Sequence, residues 1–157
     1  MAPASKAAEE KLTALAQRWA DGKASLRDVR GYTEEELYLV ARMAYLFYYQ
    51  GKLDEARTLF QGLYAVDPSD GYVARALGVV ELAAGNNTGA LAAYDVAVKL
   101  NPRDAAAYVG RAEVRIAMGE RALAVQDLRQ ALEVEPEGDL ADKSAAVLET
   151  LKTARLR

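Results

Sequence analysis

One repeating interval constrains this chain more than any other feature. Gly51, Gly85 and Gly119 lie 34 residues apart, and Pro68, Pro102 and Pro136 keep the same step. So do Ala56, Ala90 and Ala124, and so do Phe60, Tyr94 and Leu128. These columns define units 37–70, 71–104 and 105–138 without insertion or deletion. A fixed period of this length is the signature of one supersecondary unit stacked on copies of itself. Within each unit an apolar helical pattern runs to the glycine, and a second one runs to "DP", "NP" or "EP". Glycine permits the left-handed turn between antiparallel helices. The small alanine lets the two helices approach closely, and the aromatic or leucine four residues later fills their seam. Proline stops the second helix and pushes the residue before it out of the helical region.

The flanks extend the array. Leu12, Leu15, Ala16 and Trp19 fall at helical spacing, and "DGKASLRDVRGYT" reads as an irregular connection. Thr33 followed by Glu36 is a capping box that opens the first repeat helix. Leu140, Val147, Leu148 and Leu151 give residues 139–156 one apolar stripe, as expected of a helix that covers the last repeat's open core face. The runs "TEEE" and "LDEA" place carboxylates at the positive ends of helices and need no chemical role.

With these columns the chain resembles the tetratricopeptide repeat, whose pattern is W-x2-L-G-x2-Y, A-x3-F and P. Val40, Met43, Ala44, Phe47, Ala56, Phe60 and Pro68 fill it in the first unit. Ala74, Leu77, Gly78, Glu81, Ala90, Tyr94 and Pro102 follow in the second, and Tyr108, Arg111, Ala112, Arg115, Ala124, Leu128 and Pro136 in the third. The resemblance implies an all-α, right-handed superhelix. Its parts are an N-terminal helix and connection over 1–36, three repeats over 37–138, and a C-terminal capping helix over 139–157. Glu81 and Arg115 occupy one column where apolar residues are usual, and an ion pair between them is expected.

The segment "YLFYYQG" puts four aromatic rings into five positions. At about 100° per residue, Val40, Met43, Ala44 and Phe47 fall within roughly 100° of one another, which predicts the core face. Tyr38, Tyr45 and Tyr49 lie opposite, with Tyr48 on the flank. A helix apolar on two faces needs a second occupant, and in such an array the second face lines the concave wall. The same columns supply Tyr72, Arg75, Val79 and Leu82 from the second unit, and Val109, Glu113 and Ile116 from the third. These twelve residues, Tyr38, Arg42, Tyr45, Tyr48, Tyr49, Tyr72, Arg75, Val79, Leu82, Val109, Glu113 and Ile116, are the expected peptide-binding set.

Composition removes most other functions. The 157 residues contain no cysteine and no histidine. That excludes disulfides, thiol nucleophiles, imidazole bases and zinc sites of the Cys/His kind. "GNNTG" lacks the lysine of a phosphate loop and reads as a turn. No catalytic constellation and no cofactor are expected, so binding is the default. A formal net charge of −3 argues against a nucleic-acid partner. The N-terminus reaches charge before any apolar run, and no apolar stretch nears the roughly 20 residues of a membrane span. A cytoplasmic protein without direct membrane binding is expected.

Taken with its flanks, "ELYLVA…Y…QGKLDEARTLFQ.L…D" and the final "SAAVLETLK" resemble the class II chaperones of bacterial type III secretion, of the SycD, LcrH and CesD type. That resemblance implies a chaperone that keeps a hydrophobic translocator subunit export-ready by holding an extended segment, through apolar anchors, in its concave groove. It also implies a homodimer contact through the N-terminal helix. The lysine, asparagine and arginine of a carboxylate clamp are missing at Ala41, Tyr45, Ala76, Ala106 and Gly110. A general repeat scaffold that joins protein partners is the alternative reading.

Overall fold

The computed structural model describes residues 6–21 and 23–153, without the side chains of residues 8, 9, 12, 19 and 20. The side chains of Leu12 and Trp19, assigned above to the first helix, therefore lie outside the described residues. What is described is all-α. In chain order the helices are α1 (Lys6–Ala20), α2 (Leu26–Arg30), α3 (Glu34–Tyr49), α4 (Leu53–Val66), α5 (Gly71–Ala83), α6 (Asn87–Leu100), α7 (Ala105–Ala117), α8 (Arg121–Val134) and α9 (Asp139–Thr153).

The period governs local conformation as well as residue type. Gly51, Gly85 and Gly119 adopt φ of 76°, 76° and 80°, the left-handed conformation that lets each helix pair reverse. The residue after each glycine donates its N–H five positions back: Lys52 to Phe47 at 2.9 Å, Asn86 to Glu81 at 2.9 Å, and Glu120 to Arg115 at 2.8 Å. These bonds satisfy carbonyls that the helix end would leave open. Past the second helices, Asp67, Asn101 and Glu135 take φ of −137°, −134° and −135° with ψ of 89°, 87° and 90°. That is the extended backbone a following proline imposes.

Packing follows the same columns. Ala56, Ala90 and Ala124 have no exposed surface, so the paired helices meet without a long side chain between them. Phe60, Tyr94 and Leu128 are 0%, 2% and 1% exposed and fill the seams. α3, α5 and α7 lie side by side as the inner layer of the superhelix, linked by Tyr45 against Tyr72 and by Arg75 to Asp104 at 2.8 Å. α4, α6 and α8 back them.

Three expectations are corrected. The connection is not wholly irregular, because Ser25 and Asp28 form a capping box that nucleates α2 and Gly31 ends it at φ 73°. Arg27 then ties this helix to Glu34 at 3.3 Å and Asp67 at 3.4 Å. Second, Val40 and Met43 are not core: they are 38% and 48% exposed, while Ala41 and Ala44 are buried. The reason is positional. Val40's column is buried one unit later, at Ala74, and again at Tyr108, because a preceding helix pair covers it there. No repeat precedes α3, and α1 packs on α2 instead. Third, Glu81 and Arg115 do not pair. Glu81 meets Arg57 at 3.1 Å and accepts from Asn86 at 2.9 Å. Arg115 turns to Asp127 at 2.7 Å.

Asp127 organises the third unit. Its carboxylate, 4% exposed, accepts from Arg111 Nη2 at 2.7 Å, Arg111 Nε at 3.1 Å and Arg115 Nη1 at 2.7 Å. Arg111 also reaches Asp95 on α6 at 2.8 Å. Where the first unit fills these positions with Met43, Phe47 and Leu59, the third fills them with one buried ionic cluster. α9 closes the array, burying Leu148 with Ala112, Ala124 and Leu128.

Candidate functional site

The inner wall is built on α3 and α5. α3 starts at the Thr33–Glu36 capping box, where Thr33 N–H donates to Glu36 at 2.9 Å and Glu36 N–H donates back to Thr33 at 3.2 Å. α5 starts at Asp70, which accepts the N–H groups of Tyr72 and Val73 at 2.9 and 3.1 Å. These caps fix the rotation of both helices, and with it the direction of each side chain.

Tyr45 stands at the centre. Its ring meets the fully buried Phe60 edge-on at 5.0 Å, with Tyr49 at 6.4 Å and Tyr72 at 6.2 Å on either side. Such pairs add about 0.5–1.5 kcal/mol beyond the area they bury. Burial pushes the Tyr45 phenol above its ordinary value, and the Tyr72 hydroxyl acts in the same direction. It therefore stays neutral and offers a hydrogen-bonding group rather than a charge. Tyr48 packs at the same core and crosses Tyr49 at 5.3 Å. Arg75 lies over the Tyr72 ring at 5.3 Å while Asp104 holds its Nε, so the ring is backed by a fixed cation.

Outside this anchored row the wall is open. Tyr49 is 80% exposed, Tyr38 62% and Tyr72 46%. With Ala41, Arg42 and Tyr45 they line a hollow of about 570 Å³ between α3 and α5. A second hollow of about 470 Å³ continues past Tyr38 and Tyr72 to Leu37, Leu63 and Val73, with Glu34, Glu35 and Asp70 at its mouth. Rings held from behind and wet in front make a preformed apolar surface.

The remaining expected residues divide. Val79 and Leu82 are half-buried and pack into the core of the second unit with Tyr94 and Val114. Val109 is 4% exposed, enclosed by Ala105, Tyr108 and Ala131, and presents no wall. Glu113 is held by Lys143 of α9 at 2.6 Å, and Ile116 packs with Leu128 and Leu148. The terminal helix thus occupies the third unit's share of the wall. The structure gathers Tyr38, Arg42, Tyr45, Tyr49 and Tyr72 around one hollow and leaves Val109, Glu113 and Ile116 outside it. It adds the apolar edge of Leu39, Met43 and Leu46, which helical phase alone assigned to neither groove nor solvent. Among the described residues no acidic cluster could hold a metal ion, and no helix is long and apolar enough to cross a membrane.

Comparison with known proteins agrees with this architecture. A type III secretion complex from Aeromonas hydrophila superposes with a TM-score of 0.82 at 22% identity, over 91% of this chain and 97% of that one. The Yersinia enterocolitica secretion chaperone SycD, solved with a peptide of the translocator YopD, gives 0.73 at 24% identity, over 78% and 97%. The first repeat domain of Spaghetti, solved with the HSP90 peptide SRMEEVD, gives 0.73 at 21% identity, over 80% and 97%. No curated protein matches by sequence. The tetratricopeptide repeat family matches residues 41–105 and 82–133. With its 34-residue period, its glycine turns and its alanine-lined seams, this chain belongs to the tetratricopeptide repeat family.

Proposed function

We propose that this protein is a cytoplasmic chaperone that holds an extended apolar segment of a secreted translocator subunit on the wall of α3 and α5. One observation supports this above the rest: a row of tyrosines anchored at Tyr45 and Phe60 stays exposed at Tyr38, Tyr49 and Tyr72. Tyrosine stacks on aliphatic and proline side chains and hydrogen-bonds peptide groups, which suits an extended strand of client. The SycD and Aeromonas structures share the fold, and SycD was solved with a translocator peptide.

A translocator destined for a membrane carries segments that aggregate in water. Occupying one of them on a preformed wall keeps the client dispersed and unfolded enough for export, with no nucleotide or metal. Each buried aliphatic anchor contributes about 1.5–3 kcal/mol. Two or three anchors supply about 3–9 kcal/mol before the cost of ordering the peptide, which sets the affinity at about micromolar at best. A homodimer contact through the N-terminal helix belongs to the same reading.

The Spaghetti domain binds an acidic HSP90 peptide. Here Ala41 and Ala76 are buried alanines where a carboxylate clamp needs cations, which disfavours that mode. The test is titration of an acetylated, amidated nine-residue peptide of repeating proline, valine and leucine. Combined Tyr38→Ala and Tyr49→Ala substitution is expected to weaken binding at least tenfold, because both rings are more than half exposed. Equal binding by wild type and double variant would remove the wall as the site. It would favour a scaffold that engages partners through its outer helices.

A further inference from the structure

Tyr94 belongs to α6, in the outer layer, yet its ring passes between two inner helices. A Cβ added at Gly78 of α5 would sit 2.9 Å from Tyr94 Cε2, and one added at Gly110 of α7 would overlap the ring at Cζ and Cε1. Both glycines are in helix interiors with ordinary helical backbone, where alanine is the better helix former. What glycine provides at these two places is room. The two seam residues of the same column differ from Tyr94: Phe60 and Leu128 end in carbon.

The far end of Tyr94 is the phenolic oxygen, beside Gly110. Tyr94 is 2% exposed, yet its hydroxyl bonds to no described residue and is not sealed from water. The groups that act on it belong to the inner layer: Glu113 of α7, Arg75 of α5, Tyr48 of α3 and Asp104 at the start of α7. Burial raises the phenol above its ordinary value, with Glu113 adding to the effect and Arg75 opposing it, so the group is a neutral hydroxyl. A hydroxyl that water reaches but no side chain holds is free to bond an incoming group.

We infer that Tyr94 is a specificity-determining residue of the groove, whose hydroxyl emerges beside Gly110 between α5 and α7 and hydrogen-bonds the main chain of the bound segment. This rests on the proposed peptide-binding role and adds to it a fixed polar point. The tyrosine wall of α3 and α5 takes side chains of any apolar kind. A single hydroxyl at fixed depth takes a peptide C=O or N–H at one position, and so sets the register of the strand.

The test is Tyr94→Phe, which keeps the ring between the glycines and removes one oxygen. The probe is the same proline–valine–leucine nonapeptide, measured with wild type and variant alongside thermal unfolding. Binding is expected to weaken about three- to tenfold, the equivalent of one neutral hydrogen bond. The unfolding midpoint should be unchanged or slightly higher, since the hydroxyl has no partner to lose. Replacing each peptide N–H by an ester oxygen in turn should reveal one position that costs affinity with wild type and nothing further with Tyr94→Phe. If wild type binds and Tyr94→Phe binds equally, the hydroxyl has no role in recognition while the groove reading stands. If wild type does not bind at all, the groove reading fails and this inference with it. A lowered midpoint with unchanged affinity would make the hydroxyl structural, and would also overturn it.

Discussion

Replacing Asp127 by alanine should be among the most damaging single changes in the molecule. The carboxylate is 4% exposed and takes three hydrogen bonds from two guanidinium groups that are each 15% exposed. Removing it leaves two cations facing one another in a water-poor seam. Breaking a buried pair from one side costs about 3–5 kcal/mol. The lower end applies here, because Arg111 keeps Asp95 at 2.8 Å and Arg115 keeps the Leu123 carbonyl at 3.4 Å. In a chain of this length, about 3 kcal/mol lowers the thermal midpoint by roughly 6–12 °C. The assay is thermal and urea unfolding followed by circular dichroism. The control is Arg111→Leu, Arg115→Leu and Asp127→Leu together, which restores the apolar character of the first unit's columns. That variant should match or exceed wild type, because well-packed apolar residues replace buried ions without loss. An Asp127→Ala variant within about 1 kcal/mol of wild type would refute the view that this cluster holds the third unit together.

Gly110→Ala should destabilise by about 1–3 kcal/mol, since its methyl group collides with the Tyr94 ring. Gly62→Ala, in the interior of α4 with open space around it, should stabilise by about 0.5–1 kcal/mol, and the same unfolding curves read both. Tyr45→Ala should lower stability by about 2 kcal/mol, less than a fully buried aromatic costs, because the ring rests on Phe60. Tyr49→Ala, at an 80% exposed ring, should stay within about 0.5 kcal/mol of wild type. The carboxyls of Asp28 and Glu36 are held below their ordinary values, chiefly by the backbone N–H groups of Ser25 and Thr33. Depressed folded values mean that their contribution is complete above the usual carboxylate range and is lost as pH falls through the lowered values. Hydrogen exchange at the first turns of α2 and α3 should therefore speed up on acidification relative to the caps of Asn86, and Glu36→Gln should remove the α3 effect.

Much of this architecture is legible in the sequence because its determinants are local and periodic. A glycine that must take positive φ, an alanine that must be small and a residue forced extended before proline each act within a few residues, and each recurs after 34. What depends on neighbours is less legible. Helical phase put Val40 and Met43 in the core, but burial of that face needs a preceding helix pair, and α1 packs elsewhere. It also put Tyr45 and Leu82 on the wall, whereas both lean into the core, and of the two only Tyr45 also lines the hollow. Arg111 and Arg115 stand out as charges in apolar columns, yet their partner Asp127 lies in a different helix of the same unit. The signal was present: Asp127 is itself a charge where the units above carry Leu59 and Ala93. Likewise Gly78 and Gly110, read as repeat and wall positions, jointly mark the passage of Tyr94.

Mapping a bound peptide by amide chemical shifts tests the central claim most directly. With the proline–valine–leucine nonapeptide added to labelled protein, the largest shifts should fall on Tyr38, Arg42, Tyr49, Tyr72 and Arg75, along the inner faces of α3 and α5. The backs of α4 and α6 should stay silent. Shifts confined to those outer helices, or to the chain ends, would contradict the assignment of the tyrosine wall as the place where another polypeptide is held.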